Sequence, residues 1–170
     1  VTMTSIEGLI GTDFADYLGG DAGSNHLYGG AGNDTIDGFG GSDFIDGGAG
    51  IDTVYFSHAA SGVTVNLAST STQNIGGGDT VILHGIENLY GSNFDDVVTG
   101  NAFANTLTGS AGNDILSGGL GNDMLDGGAG NDTASYATAS GAVRVNLTLT
   151  TAQSTISAGT DTLSGIENLT

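Results

Sequence analysis

A frame of nine residues, opened by glycine and carrying Asp or Asn at its sixth position, runs without a gap over residues 11–55 and again over 91–135. The first block reads GTDFADYLG, GDAGSNHLY, GGAGNDTID, GFGGSDFID, GGAGIDTVY, and the second GSNFDDVVT, GNAFANTLT, GSAGNDILS, GGLGNDMLD, GGAGNDTAS. Position one is Gly in all ten copies, and position six is Asp in eight and Asn in two, Asn25 and Asn105. Position eight is always apolar: Leu18, Leu27, Ile36, Ile45 and Val54, then Val98, Leu107, Leu116, Leu125 and Ala134. Glycines at positions one, two and four suit positive φ and a tight turn with exposed carbonyls. Positions seven to nine suit a three-residue strand whose middle side chain points inward. One apolar residue per nine makes no core alone, so the coils must stack. Two nonapeptides complete a coil, placing turns 18 residues apart on one edge. The expected fold is all-β, a right-handed parallel β-roll or β-solenoid.

The flanks of the two blocks repeat as well, 80 residues apart: IEGLIG at 6–11 and IENLYG at 86–91, VTVNL at 63–67 and VRVNL at 143–147. The chain therefore reads as two copies of one unit. Residues 1–90 hold the block 11–55 and spacer coils 56–90; residues 91–170 hold the block 91–135 and spacer coils 136–170. Both ends fall in mid-unit, as in an excerpt from a longer array of neighbouring repeat units. Val63, Val65 and Leu67 alternate, as do Val143, Val145 and Leu147, so the spacers keep strand character and continue the solenoid as wider coils. The stretch Ala68–Gly78, rich in Ser, Thr, Asn and Gly, is expected to bulge outward.

Charge is the second constraint. Nineteen acids face one base, Arg144, for a formal −18, and 32 glycines add backbone entropy to the cost of folding. A hydrophobic fraction of 38% at regular intervals argues against simple disorder. No protein base can offset the acids, so a bound cation is the economical inference. Nucleic acid is excluded as a partner by the lack of a basic face. No apolar run reaches membrane-span length, and Val1 opens no signal-peptide pattern. The chain has no Cys, so it has neither a disulfide framework nor thiol chemistry.

The frame GGxGxDxUx resembles the calcium-binding nonapeptide of the RTX, or haemolysin-type, proteins. Calcium chemistry agrees, since the ion takes six to eight hard oxygens in flexible geometry. In such proteins an ion lies between stacked turns. The lower turn gives the carbonyls of positions two and four with its Asp, and the upper turn those of positions one and three with its Asp. The resemblance implies one site from Gly30, Gly32 and Asp34 with Gly47, Ala49 and Asp52. Its counterpart joins Ser110, Gly112 and Asp114 to Gly127, Ala129 and Asp132. A second tier sets Asp16 against Gly29, Ala31 and Asp34, and Asp96 against Gly109, Ala111 and Asp114. Phe14 and Phe94 stand there in place of glycine. On the opposite edge Asn25 faces Gly38, Gly40 and Asp43, and Asn105 faces Gly118, Leu120 and Asp123. An amide brings no charge, so these sites are expected to be weak or empty, the more so where Phe103 replaces glycine. About four to six Ca²⁺ ions follow. An isolated turn Asp, by contrast, caps its own turn without metal. The three Phe are expected to pack over the junctions between framed and unframed coils. Asp37, Asp46 and Asp126, at position nine, are expected to face solvent.

No catalytic constellation stands out, so an enzyme is not expected. His26, His58 and His84 lie in no metal-ligand spacing, and neither HExxH nor GxSxG occurs. His26 reads as an outward strand residue, and His58 and His84 as structural. Two functions remain. The first is a calcium-binding structural module that folds after export, within a secreted or cell-surface bacterial protein using type I secretion. The second is a carbohydrate-binding or accessory module of an exported protease, lipase, or alginate epimerase or lyase, touching polysaccharide or a cell surface. Five Tyr, no Trp and a single Arg favour the first.

Overall fold

The structure of the chain is a computed structural model that describes residues 7–170. The first six residues of unit one, with Ile6 of its IEGLIG flank, lie outside the described residues. Among those described there is no helix, hence none long and apolar enough to cross a membrane. The strands alternate between two walls. One wall stacks Tyr17–Asp21, Thr35–Phe39, Thr53–Tyr55, Asn88–Tyr90, Thr106–Ala111, Met124–Ala129 and Thr160–Ser164, all parallel, so it runs through both blocks and both spacers. The facing wall has two parallel parts. One stacks Gly8–Ile10, His26–Ala31, Ser42–Ala49 and Asp79–His84. The other stacks Thr64–Asn66, Val97–Thr99, Ile115–Ser117, Thr133–Ala134 and Asn168–Leu169.

Within the blocks the register advances by 18 residues, Leu18 against Ile36 and Leu107 against Leu125. The spacers stretch it, setting Ile45 against Leu83 and Leu125 against Leu163, yet the pairing stays parallel. The wider-coil reading therefore holds for the pairing, but strand character at the alternating segments is found only at Thr64–Asn66. Residues 143–147 form no strand, and Val143, Val145 and Leu147 are only half-buried, where Val63, Val65 and Leu67 are buried. All ten position-eight side chains are buried, joined by Leu83, Leu89 and Leu163 from the spacers. Each wall is thus a column of inward aliphatic side chains one strand apart, the arrangement that a single apolar residue per nonapeptide requires.

Three local expectations need correction. Strands extend up to the eight residues of Ser42–Ala49, because stacked turns such as Gly30–Ala31 and Gly48–Ala49 pair their backbones beyond position nine. Ala68–Gly78 is not a plain outward bulge: Gln73–Gly76 pairs antiparallel with the strand Asp79–His84, and Ile75 enters the core. Asp37 does not face solvent. It is buried, and its Oδ2 lies 2.8 Å from Nδ1 of His58, whose ring lies tilted against Phe39 with centroids 4.4 Å apart. Asp46 and Asp126 are half-buried. His26 is exposed, as expected, and stacks on Phe44, which also meets His84.

The spacer also shifts the phase of the coil. Leu18 of unit one lies in the continuous wall, whereas its counterpart 80 residues on, Val98, lies in the facing wall. Corresponding turns of the two units therefore sit on opposite edges of the roll.

Candidate metal sites between stacked turns

Position-six side chains build a ladder along each edge. In Asp34, Asp43, Asp52, Asp96, Asp114, Asp123 and Asp132, Oδ1 accepts a backbone N–H from the coil below. Asp34 takes Asp16 N–H at 2.9 Å, Asp52 takes that of Asp34 at 2.7 Å, and Glu87 Oε2 closes the series on Asp52 N–H at 2.9 Å. In unit two Asp96 takes Val63 N–H, Asp114 takes Asp96, Asp132 takes Asp114 and Glu167 takes Asp132, each at 2.8 Å. The other ladders place Asp43 on Asn25 N–H and Asp123 on Asn105 N–H at 3.0 Å. The glutamates of the two IENL flanks thus cap the stacks. Sequence reasoning missed that role, although their 80-residue spacing was in plain view.

The second carboxylate oxygen separates two kinds of turn. In the turns opened by Gly11, Gly20, Gly91 and Gly100, the position-two N–H donates to the position-six side chain. The pairs are Thr12 to Asp16, Asp21 to Asn25, Ser92 to Asp96 and Asn101 to Asn105, at 2.6–2.8 Å. The position-two side chain in turn accepts the N–H of Phe14, Gly23, Phe94 or Phe103. These turns satisfy themselves, in the manner of Asx and Ser/Thr turns. None of their position-four residues has positive φ, which is why Phe is tolerated there. The three Phe rings do not pack over junctions: they stand 78%, 47% and 70% exposed, because a self-capped turn holds position four outside the coil.

The remaining turns are open. Position two has positive φ at Gly30, Gly48, Gly119 and Gly128, and even at Ser110 and Phe39. Its N–H is then turned away from the carboxylate. The Oδ2 atoms of Asp34, Asp52, Asp114, Asp123 and Asp132 are left buried with no hydrogen-bond partner. An unpaired buried polar atom costs roughly 1–3 kcal/mol, more when charged. Position-one glycines do not show the positive φ expected of them. They are needed for space: a Cβ on Gly29, Gly38, Gly109 or Gly118 would overlap the carboxylate of Asp34, Asp43, Asp114 or Asp123.

Backbone carbonyls crowd the gaps between turns. From below, Gly30 O and Gly32 O lie against Gly48 and Gly50, and Ser110 O and Gly112 O against Gly128 and Gly130. From above, Gly47 O lies against Gly29 and Gly127 O against Gly109, while Ala49 O and Ala129 O accept the N–H of Gly32 and Gly112 at 2.8 and 3.1 Å. In the second tier Gly29 O and Gly109 O lie against Gly11 and Gly91, and Phe14 O and Phe94 O against Gly32 and Gly112. Phe in place of glycine leaves those carbonyls facing the gap. The structure does not show Ala31 O or Ala111 O facing the second-tier gaps. On the Asn edges Gly38 O and Gly118 O lie against Gly20 and Gly100, whereas Gly40 and Leu120 donate their N–H groups to Asp21 O and Asn101 O. Asn105 Nδ2 donates to Glu87 O of the coil below at 2.8 Å.

Among the described residues no three Asp, Glu or His side chains converge, and the one ion pair is His58 with Asp37. A cation here would take most of its oxygens from the backbone. Burial pushes the carboxyls of Asp43, Asp114 and Asp123 up to about 6, against backbone hydrogen bonds that lower them. Asp114 is raised further by Asp96 and Asp132. Asp52 and Asp96 are raised too, both chiefly by burial. The stack is thus short of positive charge. Its free donors are hard oxygens, the donor set that suits calcium.

Fold and donors together define a parallel β-solenoid whose stacked turns present hard oxygens to one another. A family model described as the RTX calcium-binding nonapeptide repeat (4 copies) matches residues 19–54, 85–102 and 99–134, and the chain belongs to that family. No curated protein matches the chain. The family is one of structural calcium-binding modules, and calcium is accordingly a partner of this chain.

Proposed function

We propose that the chain is a calcium-folded structural segment of a larger exported bacterial protein, built of two units, residues 1–90 and 91–170. The observation that carries this reading is the set of buried, unpaired Asp Oδ2 atoms confined to the open turns. The principal ions lie between Gly30, Gly32, Asp34 and Gly47, Ala49, Asp52, and between Ser110, Gly112, Asp114 and Gly127, Ala129, Asp132. Asp16 and Asp96 spend Oδ2 on their own turns, so the gaps above them fill at higher calcium. The Asn25 and Asn105 gaps are weakest, lacking one charge, with each amide oxygen already taken by the N–H of its own turn.

When bound, calcium supplies positive charge and coordination to oxygens that otherwise have neither. The residues themselves hold the turns in register through the Oδ1 ladder. A segment that folds only with calcium stays extended in calcium-poor cytosol, passes a type I secretion channel, and folds outside. Membership of a family whose repeats typically occur in exported bacterial proteins supports this route. The test is calcium counting by equilibrium dialysis on the full chain and on Asp52→Asn and Asp132→Asn. Each variant should lose high-affinity calcium, and a parent chain that retains none would end the proposal.

A further inference from the structure

The spacer of unit two contains a turn that the nonapeptide frame does not announce. Residues 156–164 read ISAGTDTLS, outside the family-matched segments, with no paired glycines at the start. In the structure Met124 and Leu125 pair with Thr162 and Leu163, and Gly121 bridges to Gly159, so Asp161 stacks on Asp123. Leu163 enters the core column in the place of a position-eight residue. Ala158 O accepts Gly121 N–H at 3.0 Å, as Ala49 O and Ala129 O do for the framed turns beneath them. Gly121 O lies against Gly159, as Gly32 O lies against Gly50.

The carboxylates complete the likeness. Asp161 is buried, its Oδ1 accepts Asp123 N–H at 3.0 Å, and its Oδ2 accepts the Tyr136 hydroxyl at 3.0 Å. Asp123 is 2% exposed, and its Oδ2 lies buried and unpaired over Gly118. Unit one lacks this arrangement. Eighty residues earlier, Val81 stands at the place of Asp161 and Phe56 at the place of Tyr136, both buried. Two buried positions have changed together from an apolar pair to an acid and a phenol. A hydrogen bond between Tyr136 and Asp161 satisfies one oxygen, but it leaves two stacked buried carboxylates with no positive charge between them.

We propose that turn 156–161 forms a further site for a hard divalent cation of the calcium class, shared with turn 118–123. Its donors are Asp123, Asp161, Gly121 O and Ala158 O, and Tyr136 is a positioning residue that orients Asp161. The site ties the irregular spacer to the framed block and exists only in unit two. It rests on the calcium reading of the neighbouring turns.

The experiment restores the unit-one pair in unit two, Asp161→Val with Tyr136→Phe, a combination the fold already accepts at Val81 and Phe56. Radiocalcium equilibrium dialysis should count one ion fewer than in the parent chain, with the far-UV circular dichroism of the calcium-loaded state unchanged. An equal count overturns the proposal. If the parent chain itself binds no calcium, the failure belongs to the underlying reading instead. A second measurement covers a double variant that does not fold. Terbium emission excited through tyrosine should fall in Tyr136→Phe, because that hydroxyl lies one hydrogen bond from a ligand oxygen, and emission equal to the parent's overturns the proposal independently.

Discussion

Replacing Gly47 by Ala tests why position one never varies. The φ of Gly47 lies outside the left-handed region, so alanine meets no backbone strain there. Space is the obstacle. A Cβ would stand 2.6 Å from both Cβ and Oδ2 of Asp52 and still closer to Gly85 O. The carbonyl belongs to the next coil's backbone and cannot retreat without breaking the ladder. The carboxylate can retreat only by giving up the Asp34 N–H. Overpacking of this kind costs roughly 1–3 kcal/mol, and loss of the hydrogen bond to a charged acceptor about 1.5–3 kcal/mol more. The expected loss is therefore about 3 kcal/mol or above. Gly78→Ala is the control: its φ is +99° but nothing lies within 4 Å of its Cβ, so strain alone acts, at roughly 1–2 kcal/mol. Urea unfolding of the full chain in saturating calcium, followed by circular dichroism, measures both. Equal destabilisation by the two variants would refute the spatial account of position one.

Further outcomes follow from the same geometry. Asp52→Asn keeps the acceptor for Asp34 N–H but removes one charge, so calorimetry should show calcium affinity at that gap falling by about tenfold or more, a loss of roughly 1.4 kcal/mol. In chelator, the roll should gain β structure on acidification. Asp43, Asp114 and Asp123 are raised from 3.8 to about 6 in the folded state, so the fold binds more protons than the unfolded chain across that window. Its stability then falls as pH rises through it, and metal-free circular dichroism should show more β signal near about pH 5 than near about pH 7.5. His58→Ala removes the bond to Asp37 from a half-exposed ring, so it should cost about 1 kcal/mol or less and leave the calcium count unchanged.

The solenoid was legible because its signal is redundant: a glycine, an acid and an aliphatic recur at fixed offsets, and stacking is the only way to bury the aliphatic. The ligand pairs could be laid out on the same grounds. What stayed hidden was conformation that residue type does not determine. Ser92 and Ser110 hold the same position in their turns, yet Ser92 caps its turn with ordinary φ while Ser110 adopts positive φ in an open one. The two turns differ at position four, where the open turn has the left-handed Gly112 and the self-capped turn has Phe94 with ordinary φ. The glutamates Glu87 and Glu167 were hidden by lying outside the frame, and Asp161 by following a spacer of different length. Asp37 was misplaced because its partner, His58, is 21 residues away in an irregular coil.

The central claim is that calcium supplies the folding free energy. At an effective dielectric of about 20, two carboxylates about 4 Å apart repel by roughly 4 kcal/mol, more than the burial of one aliphatic side chain returns, about 1.5–3 kcal/mol. Far-UV circular dichroism of the full chain during a calcium titration from excess chelator tests this directly. The account predicts a coil-like starting spectrum, a cooperative rise in β signal with calcium, and a much weaker response to Mg²⁺, which demands tight octahedral geometry. A β-rich spectrum already present in chelator at neutral pH, unchanged by added calcium, would contradict it.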